Sequence, residues 1–327
     1  MKPQPPTPRP RPMRDALLER IAEAMDHDPA LFFVSADFGS PVLDGIRARY
    51  PDRFVNVGIA EQNLINVSAG LALEGYTVFA YAIAPFLTMR CFEQIRVSLA
   101  LLSTVRPMNV NLVGVGAGFS YVVSGPTHQC YEDLTLMRAL PNMTVYSPAD
   151  HATAAGLFDA CVDRSGPKYL RLDAQPLPPL HPEAAPLPPG GFYTLRPGRD
   201  LCFVATGYMV HTALRVADRL EAEGIAAAVV DLFDLSGFDA AALCARMSAS
   251  RAVVSLEEGF RGRGGLDALL FDLRARHALT QPMLNLGVEG GYRFELGSRQ
   301  ELHEQVSIGE QAVTARVRAF VGDRQQD

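Results

Sequence analysis

Short apolar runs alternate with amphipathic segments along almost the whole chain, and one proline-rich stretch interrupts them. Residues 31–35, 54–57, 78–82, 110–113 and 143–146 are brief, mostly apolar and bounded by turn residues, which predicts buried strands. Between them apolar residues recur at helical spacing, as in Leu17, Leu18, Ile21, Ala24 and Met25, and again in Ala60, Leu64, Val67 and Leu71. Further helices are expected at 85–102, 131–139 and 150–164. Strand–helix alternation joins parallel strands and covers both faces of their sheet. The prolines of 175–191 can continue neither a helix nor a central strand, so this stretch reads as a semi-rigid linker. Alternation then resumes, with strands expected at 201–205, 226–231, 253–256 and 283–286, and helices at 212–223, 264–276 and 310–320. The expected fold is α/β: two doubly wound domains with mostly parallel sheets, at 14–174 and 192–327. Residues 1–13, rich in proline, are expected to be an extended, disordered arm.

The chain has 327 residues, enough for two cores, and a net charge of -6, which argues against nucleic acid and anionic membrane as partners. No apolar run approaches the length of a membrane span, and the N-terminus lacks the apolar segment of a signal peptide. The five cysteines are odd in number and widely spaced, without a CxxC. That usage fits a reducing compartment and gives no support to a metal or disulfide framework, so a cytoplasmic protein is expected.

Two pentapeptides carry the chemistry. Glu61, in Gly58-Ile-Ala-Glu-Gln62, stands where a helix begins after a strand, the place where ligands collect in open α/β sheets. An acid in a first helical turn is also an ordinary complement to the helix dipole. About sixty residues on comes Gly125-Pro-Thr-His-Gln129. Together the two resemble the pyrimidine-binding half of transketolase-like enzymes that use thiamine diphosphate. The resemblance runs from Arg14 to Phe320 and is strongest from 54 to 150.

The resemblance assigns roles. Glu61 would hydrogen-bond N1′ of the cofactor's aminopyrimidine, favouring the tautomer whose N4′ removes the thiazolium proton. Phe86 and Phe92, in the segment 84–96, would wall the pyrimidine, although Phe92 also fits a core stripe with Ile95 and Leu99. Ile59, Asp37 and Phe38 are further cofactor contacts, and His128 would face the substrate. In 257–265 an acidic pair precedes a glycine-rich turn, which reads as tight packing at a subunit interface.

The chain lacks the Gly-Asp-Gly and Asn-pair signature with which such enzymes hold the diphosphate and its metal. It therefore resembles the C-terminal subunit of a split transketolase. The implied partner is an N-terminal diphosphate-binding subunit that holds most of the Mg²⁺ or Ca²⁺ site, in an α₂β₂ assembly where two copies of this chain meet. The implied reaction is transfer of a two-carbon ketol or acyl unit. Positions where the family keeps a His, an Asp and an Arg for sugar phosphates read Gly116, Ser124 and Ala174 here. That implies a small-molecule or carrier-bound substrate other than an ordinary sugar phosphate, unless Arg14, Arg90 or Arg171 compensates. The alternatives are the β subunit of a 2-oxo acid dehydrogenase and a non-catalytic stabilising subunit.

Overall fold

The computed structural model describes residues 10–183 and 185–322, whose strands form two sheets. The first contains β1 (Leu31–Ser35), β2 (Phe54–Asn56), β3 (Thr77–Ile83), β4 (Asn109–Val115), β5 (Thr144–Tyr146) and β6 (Gly166–Leu172). Their order is β2-β1-β3-β4-β6-β5 and every pairing is parallel. The second contains β7 (Phe192–Arg196), β8 (Leu201–Ala205), β9 (Ala227–Leu232), β10 (Val253–Phe260) and β11 (Met283–Val288), ordered β11-β10-β8-β9-β7. Only β7 runs antiparallel, at an edge. The α/β class with mostly parallel sheets is as expected. β1 and β8 are buried at every residue, which is why their sequences are apolar without alternation.

Helices α1 (Met13–Met25) and α2 (Pro41–Arg49) contribute to an apolar cluster on one face of the first sheet. On the other face lie α3 (Glu61–Leu73), a helical stretch over 86–104 that includes α4 (Phe92–Gln94), and α5 (Asp133–Arg138). α6 (His151–Asp163) packs beside α1. The second sheet carries α7 (Met209–Glu221), α8 (Ala240–Ser248), α9 (Leu266–Arg276), α10 (Arg299–Gln305) and α11 (Glu310–Gly322). The core of the first unit continues into the second through Leu134 and Met137 of α5 and Leu266 and Leu270 of α9.

Three segments differ from expectation or refine it. Residues 1–9 of the proline-rich arm lie outside the described residues, but its end is ordered. Met13 opens α1 and is fully buried, and Arg11 bridges to Leu177. The helix expected at 85–102 contains two wide π-helical turns, Phe86–Arg90 and Ile95–Leu101. The proline-rich 175–191 stretch is pinned to both units. Asp150 Oδ2 accepts from the backbone N–H groups of Leu180 and His181 at 2.7 and 2.9 Å. The His181 ring stacks on Tyr193 at 3.7 Å, with Nε2 3.3 Å from Asp231 Oδ2.

A buried polar network joins the two units. Arg171 of β6 donates from Nε to Asp133 Oδ2 at 2.8 Å and from Nη2 to the Glu258 carbonyl at 3.0 Å. Glu258 of β10 accepts from Arg299 Nη2 at 2.6 Å, lies 2.5 Å from His303 Nε2, and accepts from the Phe119 backbone N–H at 3.2 Å. Arg299 also stands 2.7 Å from Asp173. Burial alone would favour the neutral acid at Glu258, but Arg299 and His303 outweigh it and hold the carboxyl well below the usual range. A buried ion pair that loses one partner leaves an uncompensated charge. Glu258→Ala should therefore cost about 3–5 kcal/mol, read as a lower urea or thermal midpoint. Because the folded carboxyl is shifted downward, its contribution is present above about pH 4.3 and is lost as pH falls below that. The gap between wild type and variant should narrow in acid.

Candidate active site

Parallel strands bring their carboxyl ends to one edge, and the loops that leave β1, β2, β3 and β4 there carry most of the residues singled out above. After β2 the chain turns through Gly58, at φ +74°, and enters α3 at Glu61. The Glu61 side chain is only 4% exposed, yet it lines an open hollow of about 400 Å³ with Ile59, Ala60, Gln62, Asn63, Asn66 and Arg90. Its position in the first turn of α3 suits a negative charge. Ile59 is 78% exposed at the rim, an apolar side chain with no cover.

After β3 the first wide turn, Phe86–Arg90, aims Phe86 and Arg90 toward Glu61. Arg90 Nη1 donates to Glu61 Oε2 at 2.5 Å, and its guanidinium carbon lies 4.9 Å from the Phe86 ring centre. Gln62 donates to the Arg90 carbonyl at 3.4 Å, tying α3 to this turn. The His128 ring meets Phe86 edge-on, with centres 5.2 Å apart. Thr127 Oγ1 is 3.0 Å from His128 Nδ1, which leaves Nε2 as the nitrogen free to meet another group. Glu61, Arg90, Phe86 and His128 thus form one chain of contacts.

The loop bearing His128 is closed at its base. Gly118 and Cys130 exchange backbone hydrogen bonds of 2.9 Å, the Phe119 N–H binds Glu258, and the Cys130 carbonyl accepts from Arg171. Gly116 has φ +113°, and a Cβ there would stand 2.3 Å from the Tyr121 ring. Tyr121 thus fills the space above position 116 and presents an edge toward His128, with ring centres 6.3 Å apart. Burial pushes the Tyr121 phenol up to about 12, so it remains a neutral hydroxyl. Ser124 is exposed and Ala174 is half-buried.

Asp37 and Phe38 sit one strand away, beside a smaller hollow of about 50 Å³. Asn56 links them to the Glu61 loop. Its Oδ1 accepts from the backbone N–H groups of Asp37 and Gly58 at 3.1 and 2.9 Å, and its Nδ2 donates to Asp37 at 2.9 Å. Asp37 adopts φ +54°, and Phe38 stacks on Tyr81 at 5.2 Å. Phe92 is not brought to the hollow. It is half-buried against the core that holds Ile95 and Leu99, so packing accounts for it.

Of the three arginines that could compensate in the pocket, Arg171 is committed to Asp133 and the Glu258 carbonyl, and Arg14 pairs with Asp15 at 2.7 Å. Arg90 is the one at the site, and sequence reasoning gave it no role beside Glu61. Asn56 was missed as well. In the second unit the glycine-rich turn packs around Glu257, where a Cβ on Gly265 would lie 2.1 Å from Oε2. Burial pushes the Glu257 carboxyl up to about 7, although it accepts from the Asp267 backbone N–H at 3.0 Å. Among the described residues no group of three or more His, Cys, Asp or Glu could hold a metal ion, and no helix is long and apolar enough to cross a membrane.

The arrangement suits an aminopyrimidine, which needs a carboxyl for a ring nitrogen and an apolar wall for its face. Glu61 offers a carboxyl here, and Ile59 and, beyond Arg90, Phe86 offer apolar faces. Comparison with known proteins gives the family. Residues 9–179 match the model of the transketolase pyrimidine-binding domain, and residues 190–313 match the transketolase C-terminal domain. The chain is 31% identical to one subunit of an apulose-4-phosphate transketolase of Actinobacillus succinogenes, over 90% of this chain and 94% of that one. It is 32% identical to a 6-deoxy-6-sulfo-D-fructose transketolase subunit of a Clostridium species, over 75% of each. A solved split-gene transketolase, described as an inactive β₄ tetramer, superposes with a TM-score of 0.83 at 33% identity, over 96% of this chain and 99% of that one. This chain belongs to the transketolase family of thiamine-diphosphate-dependent transferases, of which it carries the pyrimidine-binding and C-terminal domains.

Proposed function

We infer that this chain is the pyrimidine-side subunit of a two-subunit transketolase-like enzyme and acts with a diphosphate-binding partner that supplies the Mg²⁺ or Ca²⁺ site. The observation that carries this reading is the buried Glu61 carboxyl, which lines an open hollow and is joined through Arg90 to Phe86 and on to His128. When bound, thiamine diphosphate supplies the carbon nucleophile for breaking and forming a carbon–carbon bond next to a carbonyl. Glu61 shares a proton with the pyrimidine N1′. Phe86 and Ile59 flank the ring and exclude water. His128, with Nδ1 occupied by Thr127, offers Nε2 to an oxygen of the substrate. Asn56 braces the Asp37 and Gly58 backbones on either side of this seat.

Two features support the assembly. The chain has no motif for the diphosphate. Ile59, Met89, Val97, Leu101 and Val105 are large apolar side chains left exposed on the loop before α3 and along or just after the 86–104 stretch, a surface suited to a second copy of this chain and to the partner. The five cysteines are all unpaired, which suits a reducing cytoplasm. In this reading the active form is an α₂β₂ complex. Calorimetry on the isolated chain should detect no tight binding of thiamine diphosphate with Mg²⁺, and addition of the partner should restore it.

The substrate pocket supports a donor other than the common sugar phosphates. Tyr121 stands where a side chain at 116 would reach, and positions 124 and 174 carry no charge. The relatives above are named for one unusual sugar phosphate and one sulfonated sugar. In the complete complex, xylulose 5-phosphate should give a lower kcat/KM than an unphosphorylated or carrier-bound donor; preference for the sugar phosphate by orders of magnitude would refute this reading. Glu61→Gln keeps the volume of the side chain but cannot share a proton with N1′. Turnover should drop at least about a hundredfold with assembly unchanged. Near wild-type rates would remove Glu61 from its role.

A further inference from the structure

Arg90 makes both of the contacts that an aminopyrimidine would need. Its guanidinium is a flat group with N–H donors; one of them reaches Glu61 Oε2 at 2.5 Å, and the group lies over the Phe86 ring at 4.9 Å. A planar ring that took Oε2 and lay on the same side of Phe86 would occupy the space the guanidinium now fills, so one must displace the other. Arg90 is also able to leave. Its side chain is 47% exposed, and among the described residues only the Glu61 carboxylate and the Phe86 face hold its guanidinium.

We propose that Arg90 competes with the cofactor's aminopyrimidine for the seat between Glu61 and Phe86, and that its withdrawal sets the affinity of the assembled enzyme for thiamine diphosphate. This rests on the reading of Glu61 and Phe86 given above. With Arg90 in place the buried carboxylate has a partner and the ring face is covered, so the seat is stable by itself. Binding then requires one planar donor to be exchanged for another. The observed dissociation constant is the intrinsic one divided by the fraction of molecules in which Arg90 has moved out. Arg90 is a positioning residue in this scheme, acting on the availability of Glu61.

The test is calorimetric titration of the complete two-subunit complex with thiamine diphosphate at fixed Mg²⁺, comparing wild type with Arg90→Met and Arg90→Lys. Methionine keeps an apolar stem but has neither donors nor charge. Its complex should bind the cofactor about tenfold more tightly, as expected if the open seat is populated in roughly a tenth of wild-type molecules. Lysine keeps the charge and the reach but has no planar face to lay on Phe86, and should fall between the two. An Arg90→Met complex that binds as wild type does, or more weakly, overturns the proposal, the second result meaning that Arg90 holds the bound cofactor instead. Sedimentation velocity on each variant checks that the subunits remain assembled. Failure here is separable from failure of the site itself, because the turnover of Glu61→Gln at saturating cofactor reads the acid–base role of the carboxyl, whereas the titration of the Arg90 variants reads affinity alone.

Discussion

The buried arginine Arg171 is the point through which much of this molecule is held together. It belongs to a strand of the first sheet, its guanidinium is fully enclosed, and its donors end on Asp133, on the Cys130 carbonyl and on the Glu258 carbonyl of the second sheet. A guanidinium taken out of water is tolerated only if its donors are met, because desolvation of a charge exceeds any single contact. Here the partners come from separate stretches of sequence, so satisfying one side chain fixes their mutual positions. Glu258 repeats the pattern from the other side, joining α10 to the backbone of Phe119. Both ends of the loop that carries His128 are therefore held by groups that also set how the two sheets meet.

This explains why a loop rich in glycine can present a histidine in a defined direction. Gly118 and Cys130 close its base, Phe119 is buried against Tyr131 with ring centres 4.7 Å apart, and only the tip between them is free of the interior. On the neighbouring loops the same result comes from smaller means. Asn56, a single amide, holds two backbone N–H groups and one carboxylate where β1 and β2 end. Each loop has its own anchor, and those of the Gly58 and His128 loops lie outside the hollow that Glu61 lines.

Much of the first sheet was legible because strands covered on both faces must be apolar throughout. β6 was not, since Lys168 and Arg171 interrupt its apolar run. Both are buried all the same, Lys168 donating to Asn109 Oδ1 at 2.7 Å and to the Gly166 carbonyl at 3.1 Å. A charged residue in a strand usually signals an exposed face; here each has a partner far away in sequence that no local pattern reveals. β7 escaped notice because an edge strand with half-exposed residues has no apolar run. α10 was overlooked although Ser298 and Glu301 form a full capping box, a start signal that the sequence does contain. At the site, Glu61, Phe86 and His128 could be recognised from their motifs. Arg90 could not, because its meaning lies in a contact across twenty-nine residues with Glu61.

The wide turns of the 86–104 stretch have a consequence for how such a site is built. A π-helical turn is a regular helix that has absorbed one extra residue without breaking. Residues beyond it keep their own packing, so Ile95 and Leu99 remain in the core while Phe86 and Arg90 point elsewhere. The turn itself spans both settings, with Leu87, Thr88 and Cys91 fully buried and Phe86 and Arg90 left at the hollow's side. One widened turn thus lets neighbouring side chains divide their work, some anchoring the stretch in the interior and others left to meet whatever enters the hollow.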